Sequence, residues 1–207
     1  MVITADRPEI AGIADLLARA RAGETSAFCR LAAKHEGRLV QQACGLARDP
    51  SAAEDLVAET LVEAWRSLSR YNGACRFSTW LFSILLHRHQ KALRRARSRP
   101  IPLAALPSAE ADERRQAQEN IPATGLSPAD EVMRQEAADK LRSAVATLPE
   151  KHQRVILLRF FEDASLPEIA AVLGCSVGTV KSRLHYALEK LREAQQGLNL
   201  SELRGDT

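Results

Sequence analysis

The chain has 207 residues, 45% of them hydrophobic and 27% charged, with a formal net charge of +3. These are ordinary values for a folded protein and exclude a fully disordered chain. Aromatic residues make up only 4%, while the strong helix formers Ala, Leu, Arg and Glu dominate, which predicts an all-α fold. The longest apolar run lies around Trp80–Leu86 and is broken by Ser83, far short of the roughly 18 residues of a membrane span. Met1–Asp6 lacks a basic region followed by an apolar stretch, so no signal peptide is expected and a cytoplasmic location follows. Cys29, Cys44, Cys75 and Cys175 lie far apart with no C-x-x-C pair. They are expected to be reduced, small buried hydrophobes, neither a disulfide scaffold nor a zinc site.

In the first half, Ile10–Ala20 and Ala27–Leu46 carry apolar residues at helical spacing. Asp49 and Pro50 form a helix start, a capping acceptor followed by the residue preferred at the first helical position. The helix that follows presents Leu56, Thr60, Leu61, Ala64, Trp65 and Leu68 on one face. Its other face belongs to a run, Asp49 to Glu63, with five acids and no base. Asn72-Gly73 marks a turn, and Ser78 or Thr79 is placed to cap a last helix carrying Trp80, Leu81, Ile84 and Leu85. Trp80 and Phe82 are expected in the core. From Leu86 to Arg99 the sign reverses, with six basic residues, two histidines and no acid. Such opposite blocks suggest distinct contact surfaces.

Residues 100–128 hold five of the nine prolines and no sustained apolar period, so this stretch is a linker, with a short helix possible around Glu110–Glu119. It separates two small helical domains, residues 1–99 and 129–196, followed by a frayed tail over 197–207. In the second half, Ser127-Pro128 opens a helix to about Thr147, and Leu148-Pro149-Glu150 restarts one reaching Phe161. Ser165-x-x-Glu168 is a capping box, Gly174 supplies a left-handed helix end, and Ser176 caps a helix from Val177 to about Ala194.

Helix, short turn, helix is the geometry of a DNA-binding helix-turn-helix. Ala170 allows a close helix crossing, Gly174 makes the turn, and Val180 packs back. Val180, Leu184, Ala187, Leu188 and Leu191 form the buried stripe of the last helix. Gly178, Ser182, His185 and Tyr186 then point outward, flanked by Lys181 on one side and Thr179 and Arg183 on the other. A polar, basic face there suits a major groove.

Three strings carry a resemblance. D-P-S-A-A-E-D-L-V-A-E-T-L-V-E-A-W-R-S-L at Asp49–Leu68 resembles the polymerase-binding helix of bacterial sigma factors. Y-N-G-A-C-R-F-S-T-W-L at Tyr71–Leu81 resembles their promoter-melting loop, followed by the basic helix His87–Arg99. Residues 148–192, from L-P-E-K-H-Q-R-V-I-L-L-R-F-F through V-G-T-V-K-S-R-L, resemble their promoter-reading C-terminal domain. The order and the two-domain layout are similar to the extracytoplasmic-function subgroup of the sigma-70 family.

The resemblance implies a non-enzymatic factor, with no cofactor, metal or small-molecule substrate and no membrane insertion, that binds core RNA polymerase through the β′ clamp and the β flap. Glu54, Asp55, Ala58, Glu59 and Val62 would meet the polymerase. Asn72, Arg76, His87, Arg88, Lys91, Arg94 and Arg95 would meet the −10 element. Thr179, Lys181, Ser182, Arg183, His185 and Tyr186 would meet the −35 element. An anti-sigma factor is a usual partner of the family. Ala58 stands where glutamine is common, His87 and Lys91 where asparagine and aspartate are frequent, and His185-Tyr186 replaces a more usual basic or aromatic-arginine pair.

The residues themselves agree with this. Asp55 and Glu59 lie four apart on one helix face, a mutual repulsion of about 0.2–0.5 kcal/mol that a basic partner would turn into attraction. Aromatics and cations together from Tyr71 to Arg95 suit an unpaired strand. The rival reading is a stand-alone helix-turn-helix regulator with an N-terminal sensor, which has no use for the acidic helix. A metal-dependent hydrolase is disfavoured, because His35, His87, His89, His152 and His185 show no H-x-x-x-H spacing.

Overall fold

The computed structural model describes residues 8–47, 49–98 and 139–202, and every regular element among them is helical. Helices α1 (Pro8–Arg21), α2 (Thr25–Leu46), α3 (Pro50–Ser67) and α4 (Phe77–Ser98) build the first half, with a 3-10 turn at Leu68–Arg70. Residues 139–147 are helical, and α5 (Glu150–Phe160), α6 (Leu166–Leu173) and α7 (Val177–Glu202) complete the second half. The expected linker, the helix around Glu110–Glu119 and the Ser127-Pro128 start lie outside the described residues.

Local chemistry sets most of the boundaries. The Asp49 side chain accepts from the Ala52 amide at 3.1 Å, and Pro50 is the first helical residue of α3. Ser165 and Glu168 close the capping box of α6 from both sides. Gly174 takes φ 62°, the left-handed conformation that ends α6 without a Cβ penalty. The Ser176 hydroxyl accepts from the Thr179 amide at 3.1 Å and starts α7.

Three expectations are corrected. Helix α4 begins at Phe77, ahead of Ser78 and Thr79, with the Trp80 amide bonded to the Arg76 carbonyl. Thr79 is fully buried and faces the core, so it is not free to cap. Helix α7 continues through Gly197 to Glu202 instead of fraying; one interior glycine costs a helix only about 1 kcal/mol. The cysteines are all free thiols, but Cys29 and Cys44 are exposed on α2 and only Cys75 and Cys175 are half-buried.

The apolar face of α3 is buried as its period requires, through Ala53, Leu56, Val57, Thr60 and Ala64. Trp80 packs against the same core and Phe82 is fully enclosed in it. Tyr71, Phe77 and Trp80 form a mutual aromatic cluster with ring centroids 5.2–5.6 Å apart. The core does not stop at the first half. It runs on without a break through Val155, Leu157, Leu158, Ala164, Ile169, Ala170 and Val180, with α4 packed on both α5 and α6. A smaller cluster of Leu148, Ile156 and Ala187 lies on the far side of α5.

Candidate functional site

Because the i, i+3, i+4 positions of α3 are spent on the core, the intervening residues face outward. Glu54, Asp55, Ala58, Glu59 and Val62 are all exposed, with Val62 at 47%. The result is an acidic stripe with an apolar member at one end. Glu59 also reaches α4, where the Arg88 Nε lies 3.5 Å from its carboxylate. The acidic and basic blocks of the sequence therefore meet at one edge. A cleft of about 230 Å³ opens there between Glu59, Arg88, Lys91, Ala92, Arg95 and Ala96.

Helix α4 brings His87, Arg88, Lys91, Arg94 and Arg95 together along its C-terminal half. The imidazole of His87 is held below its ordinary pKa by partial burial and by the charges of Arg154, Arg94, Lys91 and Arg88. Arg154 belongs to α5, so the second half of the chain adds to this basic field. Its own pKa is lowered, chiefly by burial. Sequence reasoning missed Arg154, since nothing local marks it as a neighbour of α4.

The turn before α4 differs from expectation. Tyr71 and Phe77 are buried at 6% and 5% exposure, and the Tyr71 hydroxyl donates to the Cys75 carbonyl at 2.7 Å. Burial and the neighbouring Cys75 push the Tyr71 phenol up to about 12, and burial and Glu168 push the Cys75 thiol up to about 11. These two rings pack edge to face within the core and are not free to stack on a base. Asn72 is exposed, but its Oδ1 accepts from the Ala74 amide at 3.0 Å and shapes the turn around Gly73, whose φ is 78°.

Arg76 is held by the second half through its backbone amide, Nε and Nη2. Its Nε and its backbone amide both donate to Glu168 Oε1, at 3.0 and 3.1 Å. Its Nη2 donates to the carbonyls of Glu162 and Asp163 at 3.0 and 2.8 Å. Burial alone would raise the Glu168 carboxyl, but hydrogen bonds from Ser165 and Arg76 and the Arg76 charge hold it below the usual carboxylate value. Arg94 pairs with Glu150 at 3.3 Å.

In α7, Val180 and Ala187 are fully buried with Leu184, Leu188 and Leu191 partly so. Gly178, Lys181, Ser182, His185 and Tyr186 are exposed, while Thr179 and Arg183 sit half-buried on the flank. His185 lies 3.3 Å from Glu189 one turn on. Arg183 reaches Cys175 Sγ at 3.9 Å. Tyr186 stacks on His152 of α5 with ring centroids 4.5 Å apart, so one of its faces is already covered.

Among the described residues no group of three or more His, Cys, Asp or Glu is placed to hold a metal ion, and no helix is long and apolar enough to cross a membrane.

Comparison with known proteins matches these helices to one family. Residues 31–99 match the family model for sigma-70 region 2, and residues 144–193 that for sigma-70 region 4. The chain is 30% identical over 184 residues to the RNA polymerase sigma-H factor of Pseudomonas aeruginosa, covering 88% of this chain and 93% of that one. It is 32% identical over 185 residues to the ECF RNA polymerase sigma factor SigL of Mycobacterium tuberculosis, with coverages of 88% and 96%. Among solved structures it is similar to CnrH in complex with the cytosolic domain of CnrY, at 26% identity and a TM-score of 0.60, covering 90% of this chain and 98% of that one. A region 2 match over the first half does not favour a ligand-sensing bundle. The chain belongs to the extracytoplasmic-function group of the sigma-70 family of RNA polymerase sigma factors.

Proposed function

We propose that this sigma factor directs core RNA polymerase to its promoters through three surfaces of its own helices. The exposed stripe Glu54, Asp55, Ala58, Glu59 and Val62 docks on the polymerase β′ clamp. Asn72, Arg76, His87, Arg88, Lys91, Arg94 and Arg95 hold the melted −10 strand, with the cations on phosphates. Thr179, Lys181, Ser182, Arg183, His185 and Tyr186 lie in the major groove of the −35 element, in a domain carried by the β flap.

Residues 1–99 and 129–196 act as the two promoter-engaging units, and 100–128 connects them across the polymerase. The chain contributes recognition and no bond chemistry, which the polymerase supplies, and it works in the cytoplasm where the polymerase is. An anti-sigma protein is a further partner in this reading; the solved relative CnrH carries the cytosolic domain of another protein.

The observation that carries the reading is the α3 stripe, an acidic row left exposed on a helix whose other face is wholly spent on the core. A solvated helix face gains nothing from like charges at i, i+4, whereas a basic coiled coil would reward them. Reversing Asp55→Lys with Glu59→Lys should lower affinity for core polymerase by tenfold or more while helicity stays unchanged. Unchanged affinity with unchanged helicity contradicts the assignment of this surface.

A further inference from the structure

The cleft between α3 and α4 is a concave cationic space within the first half of the chain. Arg88, Lys91, Ala92, Arg95 and Ala96 stand at i, i+3, i+4, i+7 and i+8 of α4 and so share one face. Ala92 and Ala96, one turn apart, contribute only methyl groups, so the space among the longer side chains stays open, and Glu59 of α3 completes the lining. The volume of about 230 Å³ corresponds to about seven waters at roughly 30 Å³ each. Pockets for drug-sized molecules begin near ~300 Å³, so this one admits a small polyatomic group.

Its charges are out of balance. Three cations face one carboxylate, and the pairing that exists is loose. Arg88 is held in the cleft with its side chain 20% exposed, and its Nε stands 3.5 Å from Glu59 Oε2. That Nε is buried without a hydrogen-bond partner, a donor whose desolvation is uncompensated. The Lys91 and Arg95 side chains make no hydrogen bond or ion pair among the described residues. A guanidinium fork takes two oxygens of a phosphate and an ammonium takes a third. A backbone phosphodiester brings a single charge, whereas a terminal phosphate brings about −1.5 to −2 and three acceptor oxygens. The surplus of two positive charges in the cleft matches the terminal group.

We propose that the α3–α4 cleft binds the terminal phosphate of a free phosphorylated anion, with Arg88 exchanging Glu59 for phosphate oxygens and Lys91 and Arg95 closing on them, and that an occupied cleft excludes the promoter strand. The first part stands on the cleft alone; the second rests on the promoter reading of the same three cations.

The test titrates the full chain with inorganic pyrophosphate by calorimetry at constant ionic strength. Ala92→Leu fills the cleft with a strong helix former at an exposed position and leaves every charge in place. Arg88→Ala removes the fork, and Arg30→Ala, at an exposed arginine of α2 outside the lining, corrects for net charge. Binding of a mixed-sequence 20-nucleotide single strand, read by fluorescence anisotropy with and without pyrophosphate, separates a free anion from a backbone phosphate.

The expected result is saturable binding at one site, weakened tenfold or more by Ala92→Leu and by Arg88→Ala and left within twofold by Arg30→Ala, with the single strand displaced as the site fills. Absence of saturable binding overturns the site, as does binding that Ala92→Leu leaves unchanged, which would be attraction to a charged surface. Strand binding weakened by Ala92→Leu without any pyrophosphate binding assigns the cleft to a backbone phosphate and overturns the free anion. Pyrophosphate binding that leaves the strand in place overturns the promoter reading of these cations, not the site. Should Arg88→Ala lose helicity, Lys91→Ala is judged by the same readouts.

Discussion

His152 and Tyr186 stack across the seam between α5 and α7, with ring centroids 4.5 Å apart and planes inclined by 36°. The helical period puts Tyr186 on the face proposed to read DNA, and 40% of it is exposed, yet the ring contact also makes it a strut between α5 and α7. Tyr186→Ala should therefore cost about 1–2 kcal/mol of stability, less than the roughly 3–5 kcal/mol of a fully buried ring. Tyr186→Phe, which keeps the stack, should cost almost nothing. Chemical denaturation of both variants checks this; equal stability of Tyr186→Ala and wild type would contradict it.

His35, His89 and His152 share a second property. Burial holds each imidazole below its ordinary pKa. His35 lies between α2 and α4, its ring 5.5 Å from Phe77, with Glu162 favouring its charged form and Lys34 and Arg38 opposing it. A depressed folded-state value means that the unfolded chain takes up protons first as the pH falls below about 6.5. Stability should decline from there downward and level off once the folded-state values are passed. Thermal melts at pH 7.5 and 5.5 should show the loss, and His152→Phe should shrink it. A melting temperature independent of pH across this window would contradict the burial argument.

Within α7, Ser182 and His185 are exposed opposite the buried Val180 and the partly buried Leu184 and Leu188, whereas Arg183 sits half-buried on the flank. His185→Ala should change the preferred upstream sequence, shifting discrimination at one or two positions by about 1–3 kcal/mol. Arg183→Ala should weaken all promoters alike, because a phosphate is present at every sequence. Selection from a promoter library distinguishes the two, and interchange of the outcomes would mean that the helix is rotated in the groove.

Arg94 and Arg95 occupy the exposed end of the basic run. Arg94→Ala with Arg95→Ala should slow open-complex formation and flatten its salt dependence, by roughly one unit of slope for each phosphate no longer neutralised. An unaltered slope would remove these arginines from the DNA surface.

Legibility in the sequence followed range. Asp49-Pro50, Ser165-x-x-Glu168, Gly174 and Ser176 act on amides or torsions within a few residues, so the helix boundaries they set could be read directly. Phe77 could not be read as the start of α4, because its burial depends on Tyr71 and Trp80 in three dimensions. The charged seam was least visible. Gln42–Glu162, Arg76–Glu168 and Arg76–Glu162 join residues 120, 92 and 86 apart, and no periodicity states which carboxylate an arginine will meet. Exposure of the α3 stripe and of the polar face of α7 was readable, since each follows from the apolar stripe behind it. Engagement of Arg76 was not.

The most direct measurement for the central claim is run-off transcription by purified core RNA polymerase with this chain on a randomised promoter library. The account predicts transcripts that depend on the chain, from templates enriched in two separated sequence blocks, the upstream one altered by His185→Ala. Output no higher than that of core polymerase alone, or enrichment of a single block bound without polymerase, would contradict it.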